Sequence, residues 1–193
     1  MPGIVIESSK SVYWPIPKNA CTSIKAFIVN QEKVEMINDE IHDAKFNWVD
    51  GMIEGYFNWT IIRNPYSRLF SLWKNKIEEG HPLKLDYVDE IDMDVFWNVR
   101  HKIYSGMGFK EFVDVILNPG VQPDPHWAPQ VGQFPQGAII FKLEHLSTFL
   151  KCILPQFNWS GSQEWIHQYS DSDFQRKVFN YYRADFEMLG YGQ

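Results

Sequence analysis

Two runs of aromatic and β-branched residues, Ser11–Pro17 and Tyr56–Ile62, each end near a proline and lead straight into a segment with helical spacing. After the first run, Ile24, Phe27 and Ile28 stand at i, i+3 and i+4 and predict a helix over Ser23–Gln31. After the second, Arg63-Asn64-Pro65 breaks the strand and Pro65 takes a first-turn position. Leu69, Leu72, Trp73 and Ile77 then carry a helical period to about Glu79. A third strand is predicted at Ala138–Leu143, with a helix over Leu146–Leu154 stopped by Pro155. Strands that alternate with helices predict an α/β fold with a mainly parallel central sheet flanked by helices. Such sheets bind ligands at the carboxyl ends of their strands.

The remaining segments fill in around this frame. Glu32–Glu54 is polar and acidic and reads as loop with a possible short helix. Phe109–Leu117 is a short amphipathic helix closed by Asn118-Pro119-Gly120. Residues 121–136 hold four prolines and predict a fixed irregular loop. A last long helix starts from Ser170, Asp171 or Ser172 as cap and runs to Gly190. No linker or repeat divides the chain, so one domain over 1–193 is expected from 193 residues.

Composition narrows the function classes. With 45% hydrophobic and 22% charged residues and a mean hydropathy of -0.33, the chain suits a soluble globule rather than a disordered or membrane-embedded one. A net charge of -6 argues against a broad nucleic-acid-binding face, so any phosphate site must be local. Cys21 and Cys152 offer neither a disulfide framework nor zinc spacing, and no metal site is expected. Without a leader pattern or a membrane-length apolar run, the expected location is cytoplasmic.

Two strand-to-helix junctions could hold anions. In Pro17-Lys18-Asn19-Ala20-Cys21-Thr22-Ser23, small residues let backbone N–H groups approach an anion at a helix start, Thr22 and Ser23 add hydroxyls, and Lys18 adds a full charge. The segment is not a Walker A loop, because it lacks the glycines and places lysine first. In Arg63-Asn64-Pro65-Tyr66-Ser67-Arg68-Leu69-Phe70-Ser71, Arg63 can fork onto a phosphate and Ser71 can donate to the same group. Read singly, the first junction is equally a capped helix with a solvated lysine, and the second an arginine paired with a carboxylate.

Taken together, these segments resemble the 5′-phosphosulfate loop and the 3′-phosphate motif of sulfotransferases that use 3′-phosphoadenosine 5′-phosphosulfate (PAPS). The likeness is closest to the carbohydrate sulfotransferases, whose architecture is the P-loop-like one shared with nucleotide kinases. It extends to Asp124-Pro125-His126-Trp127-Ala128-Pro129-Gln130, to Phe141-Lys142-Leu143-Glu144-His145-Leu146 and to Tyr182-Arg183-Ala184-Asp185-Phe186 with Gly190-Tyr191. The resemblance implies sulfuryl transfer from PAPS to an acceptor hydroxyl, a carbohydrate first, without a metal. Lys18 would stabilise charge on the bridging oxygen, Asn19, Ala20, Cys21, Thr22 and Ser23 would wrap the 5′-phosphate, and Arg63 and Ser71 would hold the 3′-phosphate.

A base must also take the acceptor's proton. His42 is the first choice, by its position between the phosphosulfate helix and the strand leading to Arg63; Glu54 is the second. His126 and Trp127, in a proline-framed loop, suit the walls of the cofactor or acceptor pocket, and Trp127 could stack on a ring. Cys21 is disfavoured as a nucleophile because no partner histidine is apparent. The acidic stretch Glu79–Gly108 would repel a polyanionic acceptor, so a neutral or lightly charged sugar or another small hydroxyl compound fits better. The alternatives are a P-loop-like nucleotide kinase or hydrolase and a non-catalytic nucleotide-binding module.

Overall fold

The computed structural model describes residues 1–38, 40–78, 103–104, 106–146 and 165–192. Their contacts divide the chain into two units, Met1–Arg63 with Gln130–Gly161, and Asn64–Pro129 with Ser162–Gln193.

The first unit is built on a five-stranded sheet. Its strands are β1 (Gly3–Ile6), β2 (Ser11–Trp14), β3 (Trp48–Val49), β4 (Phe57–Ile62) and β5 (Ile139–Lys142), with α1 (Cys21–Glu32) following β2. The spatial order is β3-β1-β2-β4-β5. β2 pairs with β4, and β4 with β5, in parallel, as the alternation predicts. β1 pairs antiparallel with both β2 and β3, so the expectation of a mainly parallel sheet holds for only half of the pairings. The cause is local. β1 returns to β2 through the single 3-10 turn Glu7–Ser9, closed by Lys10 at φ 45, and so short a connection can only make a hairpin; a parallel neighbour needs a crossover.

Side chains on these strands alternate between two apolar clusters, as a period of two requires. Ile4, Ile6 and Tyr13 pack with Ile24 and Ile28 of α1. Val5, Val12 and Trp14 pack with Val49, Ile53 and Tyr56. The buried stripe of α1 is Ile24, Ile28 and Val29, whereas Phe27, expected on that face, is 38% exposed.

The second unit is helical. Asn64 caps α2 (Pro65–Trp73), its side-chain oxygen accepting from the Tyr66 and Ser67 amides, and every residue of α2 is buried. The helix then widens into a π-type turn, Lys74–Glu78, near the predicted end. In α3 (Phe109–Ile116), Phe109, Phe112, Val113 and Ile116 form the inward stripe. A single turn α4 (Trp165–Gln168) comes first, and the last predicted helix is two rather than one, α5 (Ser172–Tyr181) and α6 (Arg183–Met188). The break falls at Tyr182, whose buried phenol donates to the Trp127 carbonyl. Gly190 ends α6 at φ 67, with the Tyr191 amide reaching back to the Phe186 carbonyl. The helix expected over Leu146–Leu154 lies outside the described residues after its first position, as does most of Glu79–Gly108.

Asp171 is the cap of α5. Its carboxylate accepts from the Asp173 and Phe174 amides and pairs with Lys110 Nζ at 2.8 Å. The Lys110 hydrogen bond, then the two amides, hold its pKa at about 2 against an ordinary 3.8. A folded-state pKa below the unfolded one means that this contribution is complete above about pH 4 and is lost as pH falls toward 2. Thermal unfolding across that interval should therefore show a steeper fall in midpoint for the native chain than for Asp171→Asn, which keeps a cap but not the charge. Parallel curves would count against the assignment.

Candidate functional site

The loop between β2 and α1 turns without glycine. Lys18 and Ala20 both take left-handed conformations, φ 68 and 61, each costing roughly 1–2 kcal/mol in an L-residue. Such strain persists only where the surroundings fix it, and here Asn19 does so. Its side chain is fully buried; Nδ2 donates to the Ile61 carbonyl at 2.9 Å and to Gln130 Oε1 at 2.7 Å. Gln130 Oε1 also accepts from the Arg63 amide at 2.9 Å, and Gln130 Nε2 donates to the Arg63 carbonyl at 2.8 Å. One buried glutamine thus ties the loop after β2 to the end of β4.

Arg63 completes the connection. Its side chain turns from the end of β4 toward the loop, where Nη1 donates to the Lys18 carbonyl at 3.2 Å. The two predicted anion-binding segments therefore meet through Lys18 and Arg63. No side chain caps the first turn of α1, which leaves its N-terminal donors directed at whatever enters the loop. This cradle, with Lys18 half-buried at its mouth, is chemically suited to a phosphate or sulfate group.

His42 lies on the 3-10 turn Ile41–Asp43, with Nε2 3.4 Å from Thr22 Oγ1, and both residues are exposed. The residue chosen by position alone is thus brought against the first turn of α1. Lys25, one turn further on, lies over the rings of Phe46 and Trp48 at 5.7 and 5.1 Å. Burial lowers its pKa, against a smaller opposing effect of Cys21. Cys21 is half-buried in the first turn of α1. Burial, followed by Cys21, pushes the Tyr13 phenol well above its ordinary value. Glu54 is exposed in the turn before β4 and makes no hydrogen bond or ion pair among the described residues.

The other sequence-selected residues belong to the second unit. Ser71 is buried on α2. His126 Nδ1 lies 2.6 Å from Asp124 Oδ1, which also accepts the His126 amide. Burial acts to raise the Asp124 pKa, but the hydrogen bonds and charge of His126, with Arg68, outweigh it and leave it low. Arg68, itself buried, donates to the Pro125 and Ala128 carbonyls and fixes this loop. Trp127 is 4% exposed and packs in the apolar core of this unit, so its ring is a core element rather than an open platform. Among the described residues, no group of three or more His, Cys, Asp or Glu is placed to hold a metal ion, and no helix is long and apolar enough to cross a membrane.

Sequence reasoning missed the role of Gln130, although it lies at the end of the Asp124–Gln130 block. It gave Lys25 no role, and it left Trp48 as one of several tryptophans able to stack on a ring without singling it out; their pairing depends on a turn that carries no periodic signal.

A strand, a loop that turns without glycine, a helix and an arginine at the end of the neighbouring strand define an α/β protein with an anion-suited cradle at the carboxyl ends of its parallel strands. The family model described as the Sulfotransferase family matches residues 3–153, from β1 to beyond β5, and the chain belongs to that family. No curated protein and no solved structure matches it. Its α/β architecture is the sulfotransferase fold, and the family chemistry is sulfuryl transfer.

Proposed function

We propose that this sulfotransferase takes its sulfuryl group from PAPS and passes it to a hydroxyl of a small acceptor, a saccharide being the favoured class. The observation that carries the reading is the Arg63 guanidinium bonded to the backbone carbonyl of Lys18, which ties the loop after β2 to the carboxyl end of the neighbouring strand β4. Lys18 and the start of α1, with Thr22 and Ser23, would hold the 5′-phosphosulfate. Arg63 would hold the 3′-phosphate, and Ser71 joins it on the strength of sequence spacing. Asn19 contributes through its backbone, because its side chain is committed to Ile61 and Gln130.

In the transfer, the acceptor oxygen bonds to sulfur as the bond from sulfur to the bridging phosphate oxygen breaks. Lys18 stabilises the charge that develops on that leaving oxygen. His42 Nε2 takes the proton of the acceptor hydroxyl, and its contact with Thr22 supports this role by keeping it beside the loop. The remaining product is adenosine 3′,5′-bisphosphate.

Calorimetry with adenosine 3′,5′-bisphosphate tests the reading. The native chain should bind it without added metal, and Arg63→Ala should lose about ten- to a hundred-fold in affinity, equivalent to roughly 1.5–3 kcal/mol for a charged hydrogen bond. His42→Ala should keep that affinity and lose turnover. No binding by the native chain, or equal binding by Arg63→Ala, would reject the proposal.

A further inference from the structure

Thr22 and Lys25 are three residues apart in α1 and so share one helix face, with Cβ atoms about 5–6 Å apart. His42 meets this face at Thr22, and Trp48 meets it at Lys25. The imidazole and the indole therefore meet one helix face at positions about 4.5 Å of rise apart.

Trp48 lies on the two-residue edge strand β3 and is 42% exposed. Phe46, buried beneath it, meets it edge-on at 5.7 Å and fixes the ring. Lys25 Nζ faces these two rings, and among the described residues no carboxylate pairs with it. Partial burial removes water from the ammonium, the opposing effect of Cys21 is smaller, and the pKa is lowered as a result. A helical side chain leans toward the N-terminus of its helix, which directs Lys25 toward the turn that holds Cys21 and Thr22.

We infer that Lys25 and Trp48 form the acceptor subsite: Trp48 stacks on the apolar face of a hydroxylated ring, and Lys25 pairs with one acidic substituent on that ring. This inference rests on the sulfuryl-transfer reading above and adds to it the acceptor class, a singly anionic sugar or sugar-like ring. Stacking on an exposed tryptophan selects ring shape, while a partly desolvated ammonium selects charge.

Methyl glucoside and methyl glucuronide, which differ in carrying a hydroxymethyl or a carboxylate, separate these contributions. Their binding to the protein saturated with adenosine 3′,5′-bisphosphate can be followed by calorimetry or saturation-transfer NMR. The native chain should bind the glucuronide about ten-fold more tightly. Lys25→Met should erase that preference while leaving glucoside affinity in place, and Lys25→Arg should retain it. Trp48→Ala should weaken both ligands by about ten-fold. Both variants should bind the bisphosphate as the native chain does. Equal affinity of the native chain for the two glycosides, binding of neither at millimolar concentration, or loss of bisphosphate affinity in Lys25→Met would each overturn the subsite. Failure of the native chain to bind the bisphosphate would instead overturn the nucleotide reading, so the two are told apart.

Discussion

Lys18→Ala should lower turnover by about a hundred- to a thousand-fold, the usual effect of removing one preorganised group aimed at charge that grows in the transition state. Lys18 is held to Arg63 through its backbone carbonyl, so the link between the loop and β4 survives loss of the side chain. The left-handed φ of 68 is equally strained for alanine and lysine, so the loop gains no new preference for another shape. The loss should therefore fall on turnover in a labelled-sulfuryl assay, with a smaller change in affinity for adenosine 3′,5′-bisphosphate. Lys18→Arg should recover only part of the rate, because a planar fork does not reproduce a point charge. A loss of less than ten-fold, or one confined to KM, would remove Lys18 from the leaving-oxygen role.

The parts of this molecule that were legible in its sequence are those set by local chemistry. Ser11–Trp14, Phe57–Ile62 and Ile139–Lys142 fall within predicted strands because β-branched and aromatic runs ending at turn residues have few other uses. Asn64-Pro65 marked the start of α2, and Gly190 the end of α6, because cap geometry demands those residue types. The β1 hairpin escaped because four residues with a 3-10 turn carry no period, and the pairing that makes them a strand lies in β2 and β3. His42 was chosen by position, and the structure brings it to Thr22. Trp127 illustrates the opposite case: a tryptophan between prolines suggests a platform, but its burial depends on helices far along the chain.

Least legible was the lock that shapes the candidate site. Gln130 meets Arg63 across 67 residues and Asn19 across 111, through neutral amides that no spacing rule singles out. Gln130→Leu should show how much depends on it. Leucine fills a similar volume but leaves the buried Arg63 amide and carbonyl short of a partner and removes one of the two bonds from Asn19 Nδ2. Each orphaned buried group costs about 1–3 kcal/mol, and the groups share one site, so a combined loss of about 3–5 kcal/mol is expected. Set against a typical stability of about 5–15 kcal/mol, that is a large fraction, and the urea midpoint should fall accordingly. The same substitution should weaken adenosine 3′,5′-bisphosphate binding although Gln130 is fully buried, because Lys18 and Ala20 keep their strained conformations only while Asn19 and Arg63 are held. A variant that unfolds like the native chain and binds as tightly would mean that β2, α1 and β4 position the loop unaided.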